Sequence, residues 1–103
     1  MRFSERRKFP RYGFQSDVEI VLGSETRRAF ITDISMGGMF VITDTPLLVG
    51  SPCGVRQLFT PSLELDCIVR RVIPGRGMGV EIRQPSDVAR VRLERLLTSL
   101  VNP

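Results

Sequence analysis

Leu63, Leu65, Cys67 and Val69 alternate with Glu64, Asp66, Ile68 and Arg70. A period of two is the pitch of a strand with one dry and one wet face, the kind antiparallel sheets are built from. The same period recurs on either side. Residues 17–22 put Val18, Ile20 and Leu22 on one face, Gly23-Ser24 breaks the run, and residues 28–34 return. After a glycine-rich turn, residues 39–43 resume as strand. Pro46, Gly50 and Pro52 punctuate a loop before a weaker strand over 53–59. Beyond Pro74-Gly75-Arg76-Gly77, the residues Met78, Val80 and Ile82 alternate with Gly79 and Glu81 and close a hairpin.

After Gln84-Pro85 the period changes. Val88, Val91, Leu93, Leu96, Leu97, Leu100 and Val101 follow helical spacing, with Ser86 or Asp87 as cap, which predicts one amphipathic C-terminal helix. Six short strands without intervening helices predict an antiparallel β-barrel, because closure removes exposed edges, and the helix covers one open end. The 103 residues fit one domain, divided here into a flexible basic N-terminal arm over 1–12 and a barrel with its helix over 13–103. No apolar run approaches the ~18 residues of a membrane span, and no apolar segment follows the charged N-terminus as in a signal peptide. The expected location is cytoplasmic, without membrane insertion.

Charge is concentrated at the start. Arg2, Arg6, Arg7, Lys8 and Arg11 face only Glu5, and this accounts for the whole net charge of +4. The remaining chain is neutral. Lys8 is the only lysine, and arginine is the residue suited to binding phosphate bidentately, pairing with guanine O6 and N7, or stacking on a base. Pro10 disfavours a helix here. In an extended arm Arg7 and Arg11 share one face roughly 13 Å apart; a turn at Pro10 would bring them closer. The alternative for this stretch is a solvated basic tail.

Asp33-x-Ser35-x-x-Gly38 supplies complementary chemistry. A carboxylate accepts from the N1–H and N2–H₂ of guanine, a hydroxyl two residues on serves a base or phosphate, and a glycine allows close approach. The same residue types are also what a tight turn requires. Met36, Met39 and Met78 read as core or rim, and Arg27-Arg28 and Arg70-Arg71 as solvated sheet faces. The chain has no histidine, no nucleophile–base spacing and no metal set, so catalytic and metal-binding residues are not expected, nor is a cofactor. Cys53 and Cys67 are the only cysteines; Cys67 lies at an inward phase and is expected as a buried free thiol, a disulfide between the two being the alternative that no sequence feature supports.

Arg7-Lys8-Phe9-Pro10-Arg11 matches R-x-x-x-R, and Asp33 to Gly38 matches [D/N]-x-S-x-x-G some twenty residues later. In this pairing, in Gly77-Met78-Gly79-Val80-Glu81-Ile82 and in the C-terminal helix, the chain resembles the PilZ domain family of bacterial cyclic di-GMP receptors. The resemblance implies a six-stranded barrel whose N-terminal arm wraps the ligand. Arg7 and Arg11 would engage phosphates and guanines, Asp33 and Ser35 would contact guanine, and Gly38 would leave room. Arg6 precedes the motif, where an arginine favours an intercalated ligand dimer. Two departures stand out: no tryptophan occurs near residues 69–72, and Ile82 replaces a frequent aromatic.

The function this implies is a non-enzymatic adaptor for second-messenger signalling: cyclic di-GMP orders the arm and so changes the surface offered to a protein partner. The rival readings are a PilZ-like interaction module without ligand and a small nucleic-acid-binding barrel. Against the latter, the body is neutral and aromatics are few, Phe9 and Tyr12 among them in the arm.

Overall fold

The computed structural model describes residues 9–58 and 63–101. Six antiparallel strands follow in order: β1 (Tyr12–Leu22), β2 (Glu25–Ile34), β3 (Gly38–Ile42), β4 (Pro52–Gln57), β5 (Leu63–Ile73) and β6 (Gly77–Ile82). They close as a barrel with neighbours β1-β2-β3-β6-β5-β4, and among the described residues one helix, α1 (Asp87–Val101), follows the last strand. The expected architecture is the one observed.

Inward side chains fill the barrel. Val18, Ile20, Ile31, Met39, Val41, Val69 and Met78 are almost wholly buried, each worth about 1.5–3 kcal/mol for the aliphatic residues. β1 begins at Tyr12, well ahead of the expected residue 17. There Tyr12, Phe14 and Ser16 are half-buried while Gly13, Gln15 and Asp17 are exposed, an alternation that Gly13 and the polar Gln15 and Ser16 conceal in the sequence.

Ser86 caps α1, its hydroxyl accepting from the Ala89 amide at 3.1 Å. The buried face is narrower than the sequence suggests. Leu93 and Leu97 are buried, with Ala89, Leu96 and Leu100 packed beside them, whereas Val88, Val91 and Val101 face solvent. The spacing 89-93-96-97-100 is a single helical stripe, and the three valines fall off it.

Three register shifts break the ladders: between Gly13 and Ser16 in β1·β2, between Ile31 and Asp33 in β2·β3, and between Val69 and Arg71 in β5·β6. Each inserts one residue on one strand; those at Thr32 of β2 and Arg70 of β5 change which face the following side chains occupy, whereas β1 keeps its alternation. These shifts decide what the outer surface presents.

Candidate functional site

Strict alternation would send Asp33 inward, in phase with Ile31. The bulge at Thr32 turns it out instead, and leaves Ile34 buried. Asp33 then stands opposite Gly13 on β1 and Phe40 on β3. Arg11, just before β1, reaches across: its Nε and Nη2 both donate to Asp33 Oδ1, at 3.2 and 2.8 Å. Thr32 Oγ1 donates to the other carboxylate oxygen at 3.3 Å. The pair is open to water, the two side chains being 54% and 30% exposed. An exposed ion pair contributes only about 0–1 kcal/mol, so it is readily exchanged for other partners.

Ser35 lies differently from Asp33. It is buried, its hydroxyl accepts from the Gly37 and Gly38 amides at 3.0 and 3.1 Å, and it donates to the Gly38 carbonyl at 3.3 Å. The Ser35 amide also donates to that carbonyl at 2.9 Å. Its hydroxyl is thus engaged within the turn that follows Asp33, in keeping with the turn chemistry weighed for this motif. Gly38 has a structural reason as well: a Cβ there would collide with the Val80 carbonyl oxygen of β6. Gly77, at the far end of the same β3·β6 ladder, is crowded in the same way by the Val41 carbonyl. Gly37 carries the ring of Phe9, since a Cβ at Gly37 would lie 2.8 Å from Phe9 Cδ2. The last residues before β1 therefore meet the Asp33–Gly38 segment twice, through Phe9 on Gly37 and through Arg11 on Asp33. Arg6 and Arg7 lie outside the described residues.

The register extends the surface beyond what the motifs named. Asp33 is opposite Phe40, Phe40 opposite Gly79, and Gly79 opposite Arg71, so four adjacent strands share one outward row. The β5 bulge turns both Arg70 and Arg71 outward. Arg70 pairs with Glu81, while Arg71 lies back across Gly79, which has no side chain to obstruct it. Its guanidinium stands 6.0 Å from the Phe40 ring centroid, and that of Arg76, from the β5–β6 turn, stands at 5.8 Å. Among the described residues neither guanidinium has a carboxylate partner. Two cations held on an aromatic ring next to Asp33 make this face anion-accepting. The sequence reading had Arg70-Arg71 as an ordinary solvated face; a doubled arginine within an alternating strand was the available sign of a bulge.

On β4 the outward cation is compensated. Arg56 donates to Glu19 at 2.9 Å and to Glu64 at 3.2 Å, and the Glu64 and Glu19 carboxylates raise its pKa. Cys53 and Cys67 are both buried and both free. Among the described residues no helix is long and apolar enough to cross a membrane, and no group of three or more His, Cys, Asp or Glu side chains is placed to hold a metal ion.

Solved structures show the same architecture. The inhibitor of motility MotI/DgrA of Bacillus subtilis is 22% identical over 94% of this chain and 52% of its own, with a TM-score of 0.76. The PilZ domain of CeSA from a cellulose-synthesizing bacterium is 25% identical over 87% and 96%, with a TM-score of 0.72. The PilZ domain of YcgR from Escherichia coli, solved with c-di-GMP, is 20% identical over 94% and 92%, with a TM-score of 0.74. This chain spans about half the length of MotI/DgrA. No curated protein matches by sequence. At these identities the likeness to MotI/DgrA and YcgR shows the fold. The family model described as PilZ domain matches residues 5–99, nearly the whole of the barrel, turn and helix described above, and the chain belongs to the PilZ domain family.

Proposed function

We propose that this chain is a receptor for cyclic di-GMP, binding it on the outer face that runs from Arg11 and Asp33 to Arg71. The observation that carries the reading is the Arg11–Asp33 pair, 2.8 Å long and open to solvent beside two uncompensated guanidiniums. Cyclic di-GMP offers both halves of that pair a replacement. A guanine presents N1–H and N2–H₂ to Asp33, while O6, N7 and the phosphates suit Arg11. The exchange leaves neither charge unpaired. Ser35 acts by holding the turn that aims Asp33, and Gly38 by letting β3 approach β6.

Arg7 and Arg6 complete the site from the arm, Arg7 with phosphate or guanine and Arg6 with the second molecule of an intercalated ligand dimer. Closing the arm around the ligand costs about 1–2 kcal/mol of backbone entropy for each residue newly fixed, which ligand contacts must exceed. An arm governed by that balance is a switch, and its ordered form alters the surface a protein partner meets. The protein acts by binding, without catalysis.

Calorimetric titration of wild type against the Arg6→Ala variant tests the arm. Loss of Arg6 should lower the stoichiometry towards one ligand per chain. An unchanged ratio near two would refute its assignment.

A further inference from the structure

Cys53 on β4 and Cys67 on β5 are direct partners in the strand register. The ladder phase fixes how they face one another. Val69 donates to the Ser51 carbonyl at 2.9 Å and Gly50 donates to the Val69 carbonyl at 2.7 Å, so position 69 turns its backbone towards β4. Arg83 donates to the Asp66 carbonyl at 2.8 Å, so position 66 turns towards β6. Cys67, two residues from Val69, therefore turns towards β4 and is hydrogen-bonded to Cys53 through the backbone. Opposed residues at such positions have Cα atoms about 5.5 Å apart, within the range that disulfides span.

Both side chains point to the same face. Cys53 is 8% exposed and Cys67 1%, and the Cys67 thiol donates to the Leu65 carbonyl at 3.6 Å. Both line one cavity of about 560 Å³, together with Leu22, Pro52, Asp66 and Arg83. None of Arg11, Asp33, Ser35 or Gly38 lines it. A volume of this size admits a small organic molecule beside Cys53, whereas Cys67, 1% exposed, is reached through the Cys53 sulfur.

We infer that Cys53 and Cys67 form a thiol–disulfide exchange site, oxidised reversibly to a cross-strand disulfide by a small neutral disulfide entering this cavity. Cys53, the more accessible thiol, loses its proton to solvent and attacks one sulfur of the reagent. A mixed disulfide forms and one reagent thiolate leaves, taking up a proton from water. Cys67 then loses its proton and attacks the Cys53 sulfur, expelling the second reagent thiolate. Two protein thiols are oxidised to one disulfide, and one reagent disulfide is reduced to two thiols. Burial raises the pKa of both thiols, and for Cys67 the neighbouring Cys53 and Asp66 raise it further, so the exchange is slow at neutral pH.

The full chain, reduced and then incubated with bis(2-hydroxyethyl) disulfide, tests this by intact mass under denaturing conditions. The expected product is a monomer about 2 Da lighter, with no thiol left for iodoacetamide, as two thiol hydrogens are lost. Its thermal melt should rise, and dithiothreitol should restore both mass and melt. Cys67→Ala should retain one half of the reagent on Cys53, and Cys53→Ala should react more slowly. Wild type keeping two alkylatable thiols, or carrying a stable reagent adduct, would overturn the proposal without requiring either variant to fold. Equal reaction rates in the two variants would overturn the order of attack. None of these readouts involves a nucleotide, so the outcome stands apart from the receptor reading.

Discussion

The wall around Phe40 on β3 and the wall around Arg56 on β4 lie across the barrel from one another, since the closed order places β3 opposite β4. On the outside of β4, Arg56 is held between Glu19 and Glu64, and little positive charge remains to attract an anion. On the outside of β2·β3, Asp33 has one exposed arginine partner among the described residues, and Arg71, reaching over from β5, and Arg76 rest on Phe40 with no carboxylate partner among them. The two faces are both charged. What separates them is whether the cations are already satisfied, and that depends on strand register rather than on composition.

The largest effect expected from this contrast is on ligand binding. Arg11→Ala and Asp33→Ala each remove a charged hydrogen-bonding group, worth about 1.5–3 kcal/mol, which is roughly ten- to a hundredfold in affinity for cyclic di-GMP. Because the pair they form is exposed, the unfolding free energy should change by no more than about 1 kcal/mol in either variant. Wild-type affinity in either would break the assignment of the site to this wall.

Gly38→Ala should behave in the opposite sense, losing stability rather than a ligand contact. The added Cβ meets the Val80 carbonyl, and the strain is expected to cost about 1–3 kcal/mol in denaturant unfolding. Normal stability would mean that β3 and β6 can separate there without penalty. Ser35→Ala leaves the Gly37 and Gly38 amides without their side-chain acceptor, a loss of about 1–2 kcal/mol within the range for a broken buried hydrogen bond. Any weakening of ligand binding in that variant should follow the displaced turn.

The smallest effect sharpens the comparison most finely. Arg71→Ala should weaken binding a few-fold, in line with the roughly 0.2–1 kcal/mol of an exposed charge, while Arg56→Ala should leave binding unchanged. Equal losses from both would show that the compensated and uncompensated cations are equivalent, and the distinction between the walls would fall.

The barrel and its helix were legible because their periods are explicit: two in residues 63–70, and helical after Pro85. Arg11 and Asp33 were legible as types and spacings. Their contact was not, because it joins positions 22 residues apart through the β1·β2 register and a bulge at Thr32 that no residue announces. Gly38 was singled out for ligand access, yet the carbonyl that excludes a side chain there belongs to β6, more than forty residues later in the chain. A pairing of the two cysteines found no support in the sequence for the same reason. Only the β4·β5 pairing sets Cys53 against Cys67. Arg71 was legible only as part of a solvated face, because its place over Phe40 depends on a bulge that exposes two residues in succession and on the pairing of β5 with β6.

Isothermal titration calorimetry of the purified chain, with GMP and cyclic di-AMP as controls, shows directly whether the open Arg11–Asp33 face receives cyclic di-GMP. Micromolar or tighter binding confined to cyclic di-GMP is expected. Absence of heat, together with no shift in a parallel thermal melt, would contradict it and leave a PilZ barrel that works through protein contacts alone.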